Sequence, residues 1–290
     1  MEAGFVDILI LFYNKVEQTI SCINSFLPSG QQIYVLNNGS DPAQLKKLQL
    51  TFDGNERVHI LDAGKNLGVS GGRNYLIQHT KAPWLFSVDN DIVITNTKDW
   101  LEKFMVAISL HPDALVFIPK LFNKHERRYA ELYVLEIKDN KLIGNVADSD
   151  CVNNFPGGAA IISRKVYQKF GLYDENMFVG FEDFEFAVRA MLSDDEQPMK
   201  CFILNSVELV HDHKVVNGKV DKIAVKERYS KEKMNQSFMY FLRKHNIQFE
   251  HNWEWWTESQ VKLMTKNTLL ETVKMFSSSL KRKLFKRLSL

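Results

Sequence analysis

The chain has 290 residues, 45% of them hydrophobic and 25% charged, with a formal net charge of +2. That composition belongs to a globular protein and excludes collagen, low complexity and disorder as descriptions of the whole chain. A domain of this size buries roughly 75% of its unfolded surface, so its core needs no disulfide or metal staple.

Residues 6–12 form a near-continuous apolar run, expected as a buried strand. Val16, Ile20, Ile23 and Leu27 recur at helical spacing, and Pro28-Ser29-Gly30 ends that helix. Further strands are expected at 33–36, 58–61 and 84–88, with helices at 43–52 and 74–80 between them. Strands separated by helices of this length build right-handed crossovers and a mostly parallel sheet. Both faces of such a sheet are covered, which explains strands that are apolar throughout. Its ligands bind beyond the carboxyl ends of the strands. Asn37-Asn38, the stretch 66–74 and Asp89-Asn90-Asp91 fall at or near those ends. Past Asp91 come a helix at 100–110 and a strand at 114–118. A hairpin is expected over 129–143 with Asp139-Asn140 at its turn. Short helices at 166–170 and 184–192 follow, then a late strand at 201–210 that delivers His211-Asp212-His213. From residue 230 helices dominate, and no internal repeat is visible.

The three cysteines, Cys22, Cys151 and Cys201, have no C-x-x-C spacing. They argue against a disulfide framework or a cysteine zinc site and favour a reducing compartment. The apolar run at 8–13 is too short for the core of a signal peptide. No stretch approaches 18 uninterrupted apolar residues, so no membrane-spanning helix is expected.

Asp89-Asn90-Asp91 is the sharpest chemical feature. Two carboxylates two residues apart, just past a buried strand, cannot both enter the core without compensation. A hard divalent cation with oxygen ligands, Mg²⁺ or Mn²⁺, would supply it. A turn with solvated aspartates is the plainer reading of a bare D-x-D. The stretch from Asn66 to Asn74 is glycine-rich and leads into a helix. Such a loop lets backbone N–H groups approach phosphates, and Arg73 adds a cation. It lacks both the G-x-G-x-x-G and the G-x-x-x-x-G-K-[ST] spacing, which disfavours a dinucleotide fold or a P-loop. Glu182-Asp183 precedes a helix amid phenylalanines. It reads either as an N-terminal cap or as a carboxylate of raised proton affinity suited to a general base. His211 and His213 share one face of a strand, and an imidazole there would complete a site begun by Asp91.

Together these segments resemble the family 2 glycosyltransferases of GT-A fold, over roughly residues 6–213. Phe12-Tyr13-Asn14-Lys15 is similar to the family's opening strand end. Asn37-Asn38-Gly39-Ser40 is similar to its D-N-G-S nucleotide loop, and Asp89-Asn90-Asp91 to its D-x-D motif. Phe155-Pro156-Gly157-Gly158-Ala159 and the stretch around Tyr173-Asp174 resemble its acceptor side. Phe181-Glu182-Asp183-Phe184-Glu185-Phe186 with Arg189 resembles its E-D motif, and Val210-His211 its late metal ligand. The resemblance implies a mostly parallel twisted sheet flanked by helices. It also implies inverting transfer from a nucleoside-diphosphate sugar to a glycan hydroxyl, with Mn²⁺ or Mg²⁺. Asp91 and His211 would hold the metal, with His213 as the alternative histidine. Asp89 would bind the donor's ribose or the metal's water shell. Asn37, Asn38 and Arg73 would hold the nucleotide, and Asp183 would be the general base. Asn37 replaces the usual acid of the loop, which loosens the expectation of a uridine or thymidine base, since an amide both donates and accepts. A sugar-phosphate nucleotidyltransferase and a silent sugar-nucleotide or glycan-binding module are the rival readings. The former would need a glycine-rich loop after the first strand.

Residues 1–213 carry 20 basic and 28 acidic side chains, a balance of −8, whereas 214–290 carry 17 and 7, a balance of +10. A catalytic domain at 1–213 is therefore expected to be followed by a helical, basic extension at 214–290. Within it Leu280, Leu284 and Leu288 line one helical face among six cations from Lys274 to Arg287. Such a helix suits a membrane interface, with Trp253, Trp255 and Trp256 as further anchors. The expectation is a cytoplasmic bacterial enzyme at the inner membrane face, acting on a lipid-linked surface glycan and binding no nucleic acid.

Overall fold

The computed structural model describes residues 4–193, 199–212, 226–227 and 230–249. Its first half follows the expected alternation. Strand β1 (Val6–Phe12) is followed by helix α1 (Val16–Phe26), β2 (Gln32–Asn37), α2 (Pro42–Thr51), β3 (Val58–Asp62), α3 (Gly68–Gln78) and β4 (Trp84–Asp89). These four strands pair in parallel in the order β4-β1-β2-β3. Successive side chains of β1 enter opposite cores, as period-two geometry requires. Ile8 and Ile10 join Phe26, Phe86 and Trp100 on one face, while Leu9 joins Leu36, Leu76 and Phe186 on the other.

The second half adds β5 (Ile92–Ile94), α4 (Trp100–Leu110), β6 (Val116–Asn123), β7 (Arg128–Tyr129), β8 (Tyr133–Lys138), β9 (Lys141–Val146) and β10 (Cys151–Val152). Then come β11 (Ala159–Ser163), α5 (Arg164–Phe170), α6 (Glu182–Met191), β12 (Cys201–His211), α7 (Lys231–His245) and β13 (Gln248–Phe249). Strand β11 inserts antiparallel between β4 and β6, with Ala159 opposite Val88. Strand β12 runs parallel to β6 and antiparallel to the short β5, with His211 opposite Ile92. These two insertions deliver Gly157-Gly158 and His211 to the end of β4.

The expected hairpin is present but shifted. Its strands cover 133–146, because Arg128 and Tyr129 pair with β6 instead. Asp139 and Asn140 form the turn, both at positive φ (49° and 58°), the backbone that a two-residue hairpin demands. Strand β5 was not anticipated. Three residues carry too little pattern to separate a strand from a loop.

The described part of the extension at 214–290 packs into the body. Phe238 and Phe241 of α7 share a core with Val188 of α6 and Leu142 of β9, and β13 adds a strand beside β9. Among the described residues no helix is long and apolar enough to cross a membrane. The amphipathic stretch 274–290, Trp253, Trp255, Trp256 and His213 lie outside the described residues.

Phe86 is fully buried on β4 and meets Phe26 and Trp100 edge-on, at 5.2 Å between ring centroids in each case. Phe86→Ala is expected to destabilise the chain by about 3–5 kcal/mol through lost transfer and cavity terms. A urea denaturation curve, comparing midpoints at equal slope, measures it.

Candidate active site

The carboxyl ends of β1 and β4 floor an open cleft of about 750 Å³. Tyr13, Lys15, Asn38, Asp89 and Asp91 line it from the sheet, and Phe178, Val179 and Glu227 from the opposite side. Tyr13 donates a hydrogen bond to Glu227, and burial together with that carboxylate pushes its phenol up to about 12.

Within the D-x-D segment the three side chains diverge. Asn90 turns inward and donates to the carbonyl of Asn14 (3.1 Å) and to Thr19 Oγ1 (2.9 Å). It thereby pins a turn in which Asn14 and Lys15 both have φ of 57°. Two consecutive non-glycine residues in the left-handed region are costly and persist only where surroundings over-determine them. Asn14 is held further by Ser40 Oγ and by the Asp41 N–H. The result places Lys15 Nζ 3.3 Å from Asp91 Oδ2.

Asp91 also faces His211, with Oδ1 and Nε2 3.2 Å apart, and its carboxylate is 2% exposed. On its other side His211 Nδ1 lies 3.2 Å from Asn123 Oδ1. Oxygen and imidazole donors of this kind suit Mn²⁺ or Mg²⁺. Among the described residues no three His, Cys, Asp or Glu side chains gather into a metal cage. Asp91 and His211 therefore fit an open site, in which phosphate oxygens and water would complete the coordination.

Asp89 points the other way, toward Arg73. Arg73 Nη2 lies 3.1 Å from Asp89 Oδ1, and Nη1 donates to Ser87 Oγ (2.8 Å) and to the Gly157 carbonyl. Burial opposes the charge of this guanidinium, but Asp89, Tyr173, Asp183 and Glu182 together outweigh it and raise its pKa. Arg73, expected at the nucleotide, is 6% exposed and reaches that side of the cleft through Asp89. Gly157 and Gly158 are required by this packing. A Cβ on Gly158 would lie 2.4 Å from the Asp89 carboxylate, and one on Gly157 would lie 2.5 Å from Asp183 Oδ1.

Asp183 thus stands across Gly157 from Arg73, in the first turn of α6. Burial, then the neighbouring Glu182, raise its pKa, while Arg73 and the Gly157 backbone pull it down; the net effect is a carboxyl pushed up to about 7. That is the range in which a carboxylate serves as a general base near neutral pH.

The two asparagines act through the loops. Asn38 accepts from the Leu67 N–H (2.8 Å) and donates to the Gly68 carbonyl (2.9 Å), tying the second strand to the glycine-rich stretch. Asn37 donates to Asp62 Oδ1 and accepts from the Ser40 N–H, both at 2.9 Å. Asn38 lines the cleft, whereas Asn37 lies behind it. Lys15, Asn123 and Asp62 are site-shaping residues that sequence reasoning missed. For Lys15 the available signal was a cation directly after a strand-terminal Tyr-Asn; for Asn123 and Asp62 there was none.

Gly158→Ala is expected to push Asp89 off Arg73 and to destabilise the chain by about 1–3 kcal/mol. Thermal unfolding of the variant beside Gly144→Ala, where the nearest atom would be 3.6 Å away, measures the difference.

Residues 7–171 match the sequence profile described as Glycosyl transferase family 2. The low-salt glycan biosynthesis hexosyltransferase Agl10 of Haloferax volcanii is 24% identical over 196 residues, 63% of this chain and 61% of that protein. An uncharacterized protein of Haemophilus influenzae is 26% identical over 93 residues, 31% of this chain and 50% of that one. The chain thus spans only 50% and 61% of the lengths of these relatives. S. aureus TarS 1–349 superposes with a TM-score of 0.54 at 13% identity, over 82% of this chain and 72% of that one. GalNAc-T7, solved with UDP, GalNAc and Mn²⁺, also gives 0.54 at 13% identity, over 90% and 57%. Likeness at this identity establishes the shared GT-A fold and nothing finer.

Proposed function

The chain belongs to glycosyl transferase family 2, and from that premise we propose that it moves a sugar from a nucleoside-diphosphate donor to a glycan hydroxyl with inversion. The observation that carries the reading is a chain of contacts at the end of β4: Asp91 with His211, and Asp89 linked through Arg73 and Gly157-Gly158 to Asp183. Relatives lend support: TarS has been solved with UDP-GlcNAc and GalNAc-T7 with UDP and Mn²⁺.

In this reading the cleft beside Lys15, Asn38 and Asp91 takes the nucleoside diphosphate. Asp91 and His211 hold a divalent cation, and Asp89, braced by Arg73, holds the ribose or the cation's water shell. A bound cation supplies Lewis-acid stabilisation of the leaving diphosphate. Asp183 takes the proton from the acceptor hydroxyl, whose oxygen then attacks the anomeric carbon from the face opposite the leaving group. The attack forms the new C–O bond as the bond to the diphosphate breaks, so the configuration inverts. Asn37, an amide where the loop usually has an acid, is tied to Asp62 and Ser40. A uridine or thymidine base is the proposed preference. The acceptor is proposed to be lipid-linked, with the basic stretch 274–290 resting on an anionic membrane face. A chain ending at residue 249 that partitions onto anionic vesicles as well as the full chain would refute that placement.

Calorimetric titration with uridine, thymidine, guanosine and cytidine diphosphates, each with and without Mn²⁺, tests the donor site. One nucleotide is expected to bind only with metal, and Asp91→Ala to abolish that binding. Binding of none of the four would overturn the donor reading in favour of a silent glycan-binding module.

Asp183→Asn is expected to lower kcat by about 10²–10⁴-fold, the usual worth of a general base. The base form of Asp183 fills as pH rises through about 7. Turnover should therefore be low at pH 5, climb through neutrality and level off above it. UDP release from UDP-hexoses across pH 5–9, with product configuration read by proton NMR, checks both claims.

A further inference from the structure

The acceptor side of the site is built from two separate pieces. One is α6, with Asp183 in its first turn. The other is the segment 172–179, which sets Tyr173 against Gly157 and sends Phe178 and Val179 into the cleft. Each piece carries a carboxylate that meets the late helix α7, Glu185 on α6 and Asp174 on the segment. We propose that Lys244 of the late helix α7 is a positioning residue for the transfer, bridging these two carboxylates and so fixing the base against the segment that faces it. The inference rests on the reading of Asp183 as the base.

Lys244 Nζ lies 2.6 Å from Asp174 Oδ2 and 2.7 Å from Glu185 Oε1, so one ammonium joins both pieces. Glu185 is fully buried and needs cations. Arg189 meets its Oε2 at 3.1 Å and His245 its Oε1 at 3.1 Å. Arg189 donates to the carbonyls of Phe170, at the end of α5, and of Leu172, at the start of the segment, but does not reach Asp174. Among the described residues Lys244 is the cation paired with Asp174, and Tyr240 adds a hydrogen bond of 2.9 Å to the same oxygen. Both acids are held ionised. Burial works against each, yet Lys244 and Tyr240 at Asp174, and His245, Arg189 and Lys244 at Glu185, bring both down to about 2. Removing Lys244 leaves Glu185 with Arg189 and His245, and leaves Asp174 without its cation. The two carboxylates then lose the cation they share, and the geometry at Gly157 loosens. A helix that contributes nothing to the cleft surface thereby governs how the base is aimed.

The test uses the full chain as Lys244→Met and Lys244→Arg. Three quantities are read: UDP affinity with Mn²⁺, kcat for UDP release from UDP-hexoses, and hydrogen exchange at the amides of residues 182–191. In Lys244→Met, kcat is expected to fall on the order of tenfold or more, as misplaced catalytic groups do. UDP affinity should hold within about twofold, because Asp91 and His211 lie on other elements. Exchange should quicken across α6. Lys244→Arg should restore most of both. Unchanged kcat and exchange in Lys244→Met would overturn the proposal. So would a parallel loss of UDP affinity and melting temperature, which assigns Lys244 to the fold as a whole. If the wild type turns over no donor, the transfer reading fails on its own. Exchange still decides the coupling: quickened in Lys244→Met it stands, unchanged it falls.

Discussion

Burying a guanidinium costs several kcal/mol unless its donors are met. Arg73 meets that demand at its two terminal nitrogens, with Ser87 on β4, the carbonyl of Gly157 ahead of β11, and Asp89 at the end of β4, while its Nε has no hydrogen-bond partner among the described residues. Those partners come from separate segments of the chain, brought together by the antiparallel insertion of β11 beside β4. The same contact orients Asp89 toward the cleft edge and holds the glycine pair against which Asp183 packs. Any side chain at Gly157 or Gly158 would separate the groups that the proposed reaction needs in contact. The site therefore depends on a salt bridge between α3 and the end of β4 that the Gly157 carbonyl, ahead of β11, completes.

A different tension exists at Asp91. Its carboxylate is buried between a lysine on a strained turn and His211, whose Nε2 lies 3.2 Å away. The strain at Asn14 and Lys15 is maintained by Asn90, Ser40 and Asp41, so one end of β1 and one end of β4 brace each other.

The late helix α7 changes how the chain divides. Its aromatic face completes a core with α6 and the β8–β9 hairpin, and its Lys244 pairs with Glu185. The composition break near residue 213 marks a change in charge, while the packing of residues 231–249 continues the body. Charge patterning reports on solvent and partners, and says little about which surfaces are buried against each other.

Much of the architecture was legible in the residues alone. Apolar runs such as 6–12 and 84–88, separated by helical spacing, dictate a parallel quartet, since period and burial leave few alternatives. The same pattern puts the asparagine pair, the glycine-rich stretch and the D-x-D segment at one sheet edge, because strand ends in such a sheet share an edge. Motif order also marked Asp183 and His211. What those residues touch was decided only by tertiary structure. The antiparallel pairing of β5 with β12 sets His211 against Asp91, and three residues of β5 carry no periodicity to announce it. Arg73 was visible as a cation, but its burial on Asp89 follows from where β11 inserts. Lys244 lies 70 residues from Asp174 and 59 from Glu185, distances over which no local pattern operates. Local sequence determines element type through steric and solvation preferences of near neighbours. The pairing of distant charges is settled by which elements pack together, and that information exists only once the chain has folded.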